Sequence, residues 1–112
     1  MPAIDPTALV TDIRNAATAV IGKDVSTVGG FASSQVQDIA QQAVFIAEGV
    51  ADGSIKGDTQ KYFLGQLEEM TRSFVNVLAG LVAVAIEELW NAVVGVVWGA
   101  INKATGMNFV VP

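Results

Sequence analysis

The sequence predicts an all-α fold of three to four helices. Three observations lead there. Two early segments repeat apolar residues at three- and four-residue spacing, the signature of a helix with one buried face. Short stretches rich in Gly and Asp separate the segments. The last segment, residues 74–101, is 28 residues long and carries only two charges, Glu87 and Glu88.

Asp5-Pro6 is a strong helix start, with Asp as the capping residue and Pro at the first helical position. Leu9, Ile13, Ala16, Ala17, Val20 and Ile21 then line one face, and Gly22 is the expected stop, giving a helix over 5–22. Residues 23–33 contain Gly29-Gly30 and read as a connection. Ser34 followed by Gln37 fits a capping box. Val36, Ile39, Ala40, Ala43, Ile46, Ala47 and Val50 then mark a second amphipathic helix over 34–51.

Asp52-Gly53-Ser54-Ile55-Lys56-Gly57-Asp58 is the clearest turn, and Asp58-Thr59 are placed to cap the next helix. The helical pattern then runs over 59–105 to a stop at Gly106. A straight helix of that length is roughly 70 Å long. A compact chain of this size has a radius of gyration of about 13 Å. The long helix must therefore bend, with Gly80 as the expected place, or the molecule is elongated and packs on copies of itself. A break near Gly80 leaves four shorter helices in one domain spanning residues 1–112. The competing reading is local β-structure at Val93–Val97 and Asn108–Val111, where β-branched residues gather.

Wound as one helix at about 100° per residue, most polar residues of the last segment share a face: Glu69, Asn76, Asn91 and Asn102 fall within about 60° of Glu87, while Val94 and Trp98 interrupt the face and Glu88 stands outside it at about 100°. The rest of the circumference is Val, Leu, Ile, Ala, Phe and Trp. Three surroundings fit such a helix. In a bundle the stripe is the water-facing strip. In a membrane oligomer Glu69, Asn76, Glu87, Asn91 and Asn102 line an aqueous lumen. At a bilayer surface the stripe faces the headgroups. The bundle is the leading reading, because apolar helices usually form core. The surface reading comes last, because the polar face is not basic.

A single-span anchor fits poorly. Each apolar half flanking Glu87-Glu88 has 13 residues, and a span needs about 20. A hairpin split at the two glutamates is not expected either, since Glu-Glu-Leu-Trp-Asn contains no turn former. Ala92, Gly95 and Gly99 follow a small-residue spacing that permits close helix contact. Trp90 and Trp98 are expected as core, subunit-contact or membrane-interface aromatics.

Composition narrows function. Apolar residues are 52% and charged residues 15% of the chain, against about 25% charged in ordinary soluble domains. Disorder is excluded by the same balance. The net charge is -5, and the bases Arg14, Lys23, Lys56, Lys61, Arg72 and Lys103 are scattered. No basic cluster exists to hold phosphates, so specific nucleic-acid binding is not expected. The N-terminus lacks a basic region followed by an apolar core, so synthesis in a cytoplasm without a signal peptide is expected.

The chain has no His and no Cys. Nucleophile–His pairs, thiolate zinc sites and the Glu-x-x-His motif of di-iron bundles are all ruled out. No Gly-rich phosphate loop is present. Glu68-Glu69 and Glu87-Glu88 are neighbours that diverge by about 100° on a helix rather than converge. The Asp52–Asp58 turn superficially resembles an EF-hand start, but Lys56 occupies a ligand position and Phe63 stands where the closing Glu belongs. No catalytic, cofactor or metal site is expected.

These readings converge on a non-enzymatic structural subunit that self-associates through its apolar C-terminal helix. Its setting would be a membrane-associated or pore-like oligomer, or a large particle such as a virion. Its partners would be copies of itself, with lipid or other assembly proteins as further contacts. The alternative is a helical adaptor that takes a partner helix into an apolar groove.

Overall fold

The computed structural model describes residues 4–31 and 33–109. Four helices succeed one another: α1 (Pro6–Ile21), α2 (Ser33–Asp52), α3 (Asp58–Val82) and α4 (Ile86–Thr105). A short 3-10 turn, Val25–Thr27, lies between α1 and α2. α2 and α4 pack on each other, and α1 and α3 each pack on both of them. The molecule measures 40 × 24 × 21 Å, with a radius of gyration of 13.7 Å. The chain is thus an all-helical bundle, not a rod.

α1 begins as its sequence dictates. The Asp5 carboxylate accepts hydrogen bonds from the amides of Thr7 (3.0 Å) and Ala8 (3.4 Å), and Pro6 opens the helix. Gly22 closes it in the left-handed conformation, φ 79°, its amide donating to the Thr18 carbonyl. The connection from α1 to α2 is not passive. The Val25 amide donates to the Thr18 hydroxyl at 3.1 Å, and Val25 and Val28 are buried in the core.

α2 starts at Ser33, so Ser34 lies inside the helix and not at a capping-box N-cap; the position before Ser33 falls outside the described residues. At the start of α3, Gly57 occupies the capping position and makes no side-chain bond, while Asp58 is the first helical residue. Its carboxylate there favours the positive end of the helix dipole.

Of the two expected forms, one long helix or two shorter ones, the chain takes two, and the break lies just past Gly80, which is within α3. It falls at Ala83–Ala85. Ala83 takes the left-handed conformation, φ 57°, and donates its amide to the Ala79 carbonyl at 2.9 Å. The chain reverses there although the stretch contains no Gly, Pro or polar turn former. Glu87 and Glu88 then stand in the first turn of α4, where carboxylates suit the helix dipole. Glu87–Asn91, which contains no turn former, stays helical, and the reversal lies just before it. The reason is burial. Folding back lets both helices cover their apolar faces: Leu67, Phe74 and Leu78 from α3, and Leu89, Val93 and Ile101 from α4, meet Ile13, Ile39 and Ile46 in one core. Val93–Val97 is helical, and no strand occurs among the described residues; Val110 and Val111 lie outside them.

Candidate interaction surface

Breaking the long helix divides the polar stripe. Glu69 and Asn76 belong to α3, and Glu87, Asn91 and Asn102 to α4. The structure does not bring the five onto one continuous helix face. Glu69, Asn76, Glu87 and Asn91 are exposed. Glu69 borders a shallow groove of about 330 Å³ between α2 and α3, with Gln35, Asp38, Ile39, Met70 and Ser73.

Asn102 has a different job. Its side-chain amide donates to the Phe109 carbonyl at 3.0 Å, and its side-chain oxygen accepts from the Phe109 amide at 2.8 Å. This pair of bonds fastens the segment after α4 back onto the helix and sets Phe109 against the core.

The two tryptophans also part company. Trp98 is buried at 5% exposure, in the core. Trp90 is half-buried, and the Arg72 guanidinium lies 4.4 Å from its ring centroid. Arg72 also approaches Glu68 at 3.9 Å. This stacking ties α3 to α4 at the bundle surface.

Gly95 and Gly99 face outward, with Ala92 half-buried beside them. A Cβ added at either glycine meets no heavy atom within 4 Å. Each glycine costs the helix about 1 kcal/mol relative to Ala, and nothing inside the chain uses the space it leaves. Gly65 and Gly80 of α3 are open in the same way, but they stand 15 residues apart.

Two exposed apolar clusters have no counterpart in the sequence patterns. Phe45 (49% exposed) and Tyr62 (62%) flank Phe63. The rings meet edge-on, with centroids 5.1 Å apart for Phe45–Phe63 and 5.4 Å for Tyr62–Phe63. The one available signal is Phe45 itself, a large apolar residue off the buried face of α2. The second cluster is the exposed pair Val77 (49%) and Leu81 (45%) beside the half-buried Phe31, closed over the buried Phe74 and Leu78 with no room for a water between them. Leu81 also covers Gly30 there.

The titratable groups with displaced protonation are local turn formers. Asp24 is held below the usual carboxylate range by hydrogen bonds from the Ser26 hydroxyl and amide, at 2.7 and 2.9 Å. Asp52 is lowered by the hydroxyl and amide of Ser54. That hydroxyl also lies 3.4 Å from the Gly49 carbonyl oxygen, within reach of either acceptor. The Asp52 turn is thus satisfied by its own backbone. Among the described residues no three acids gather to hold a metal ion, and Thr71 is the one buried polar side chain. Its hydroxyl donates to the Leu67 carbonyl.

No helix among the described residues is long and apolar enough to cross a membrane. Comparison with protein-family models, with curated proteins and with solved structures gives no match.

Proposed function

We propose that the chain is a non-enzymatic assembly subunit, a folded helical bundle that associates with copies of itself through open faces. One observation carries the reading. The core is filled by side chains from all four helices, yet large apolar residues remain exposed on its surface, Phe45 and Tyr62 beside Phe63, and Val77 and Leu81 beside Phe31. Contiguous exposed apolar patches on a folded domain mark contact sites.

The setting is a large particle or a membrane-associated oligomer. The first needs only the existing surface. The second needs the bundle to open, because the apolar faces of α3 and α4 are turned inward against α1 and α2. A pore would further need Glu87 and Asn91 to face the lumen of the opened assembly. Light scattering over a concentration series, with flotation on liposomes holding a trapped dye, tests both. Growth in mass without flotation is the expected result. Flotation with dye release selects the pore form, and a monomer at every concentration overturns self-association.

A second reading rests on the exposed Val77 and Leu81 of α3. Four residues apart on one helix, they offer an apolar strip against which an adaptor would pack the apolar face of a partner helix. A chain that stays monomeric while binding amphipathic helical peptides would favour that reading.

A further inference from the structure

The outward row of α4 is built with a symmetry of its own. Glu87, Asn91, Gly95, Gly99 and Lys103 occupy every fourth position, and all five are exposed. Gly95 is the midpoint. One end of the row is acidic, reinforced by Glu88; the other ends in Lys103, which borders a groove shared with Asp5 and Asp12 of α1. Among the described residues neither Glu87 nor Lys103 has an ion-pair partner; the only such pair is Glu68–Arg72. Glu87 and Lys103 stand roughly 24 Å apart along the helix axis and cannot meet within one copy.

We propose that two copies of the chain pair through this row, antiparallel, about a two-fold axis at Gly95. The inference deepens the self-association reading and rests on it. Rows of residues four apart are the ridges that pack together when helices cross at about 50°. Reversed on itself, the row places Glu87 beside Lys103 of the second copy and Asn91 beside Gly99 of the second copy. Gly95 meets its own counterpart. Glu88 comes beside Asn102 of the second copy, so no carboxylate of one α4 faces a carboxylate of the other α4. A parallel pairing would instead gather four carboxylates at one end, and repulsion selects against it.

The glycines then have a use. With no side chains at the centre, the two backbones can approach closely, and the half-buried Ala92, Val94 and Val96 supply apolar contact beside the row. A closed two-fold contact is the commonest symmetry of self-association. The aromatic cluster on α2 and α3 has no comparable pattern of charge to choose its occupant.

The chain has no cysteine, so introduced cysteines report the contact without background. In oxidised Gly95→Cys, a covalent dimer is expected. Ala19→Cys, exposed on α1, should give none. Chains carrying Asn91→Cys should cross-link to chains carrying Gly99→Cys more readily than either does alone. In light scattering, Gly95→Leu should weaken dimerisation at least about tenfold without unfolding the chain, since the added side chain has free space in the monomer. Lys103→Glu should weaken it about threefold, the small effect of an exposed ion pair, and Glu87→Lys combined with Lys103→Glu should restore it. A dimer that survives Gly95→Leu and cross-links at neither Gly95→Cys nor the mixed pair overturns this contact while self-association stands. A wild-type monomer at all concentrations overturns both.

Discussion

Gly49 and Gly95 both sit inside helices, yet they answer to different neighbours. Gly49 is buried, and a Cβ placed there would overlap the Ile55 side chain. Ile55 rides on the turn after α2, donates its amide to the Gly49 carbonyl at 2.9 Å and is 5% exposed. The missing side chain at Gly49 is what lets that turn close onto the helix. Gly95 carries the same helix penalty and faces open space. A helix glycine is explained by what approaches it, and for Gly95 nothing among the described residues does so; the proposed second copy would.

The hardest way to break the comparison is at the closed site. Gly49→Ala should destabilise the fold by about 1–3 kcal/mol, the usual cost of overpacking, read as a lower urea midpoint. Ile55→Ala removes both the Cδ1 and Cγ1 atoms that the new Cβ would strike. In that background the same substitution should cost distinctly less. Equal costs in the two backgrounds would mean that Ile55 is not what confines Gly49.

A second contrast lies along the open row of α4 and its edge. Asn102→Ala should cost about 1–2 kcal/mol, since it removes two partly buried hydrogen bonds to Phe109. Amide exchange at Phe109 should accelerate with it. Asn91→Ala should change stability by less than about 0.5 kcal/mol, as expected of a solvated surface position. Comparable losses at the two sites would place a partner on Asn91 within the chain.

Gly95→Ala reverses the sign seen at Gly49. Measured at dilution, it should stabilise the fold by about 0.5–1 kcal/mol, because Ala is the better helix former and nothing obstructs its methyl group. A loss of stability would mean that some part of the same chain uses the Gly95 face.

The sequence discloses most where a local signal and the tertiary need coincide. Asp5-Pro6 and Gly22 mark α1 because capping and the left-handed stop are written in single residues. The apolar spacing of Val36, Ile39, Ala43 and Ile46 marks α2 for the same kind of reason. The α3–α4 break is not legible in that way. Val82-Ala83-Val84-Ala85 holds no turn former, and Ala83 accepts a positive φ because packing on both sides demands the reversal. Glu87-Glu88 is the one available sign, as acids open a helix. Wound as one helix across the break, the polar stripe reads as one face when it belongs to two helices. Gly95 and Gly99 carry a contact spacing in sequence, but only the structure shows that the spacing faces outward. Ala83 also extends the comparison, as a place where glycine is absent but suited. Ala83→Gly should stabilise by about 0.5 kcal/mol, the relief of left-handed strain less the greater freedom of glycine in the unfolded chain. A thermal melt reads it, and a lower midpoint would show that Ala83 carries no net strain.

The smallest effect comes from acid acting on the closed site alone. The Asp52 carboxylate accepts the Ser54 amide at 2.8 Å and so shapes the turn that delivers Ile55 to Gly49. Ser54 holds this carboxylate below its ordinary range in the folded chain. The unfolded chain therefore binds the proton more readily, and stability rises with pH across that interval. The contribution is fully present above the ordinary carboxylate range and is lost as pH falls through the lowered folded value. Urea midpoints taken from neutral pH down to about pH 2.5 should reveal it as a difference between wild type and Asp52→Asn. Asp24 contributes with the same sign in both chains and cancels from that difference. In Gly49→Ala, where the turn is already pushed away from α2, the Asp52 increment should shrink. In Gly95→Ala it should keep its wild-type size, because the open face of α4 shares no contact with that turn. An increment that shrank equally in both variants would dissolve the distinction between the two glycines.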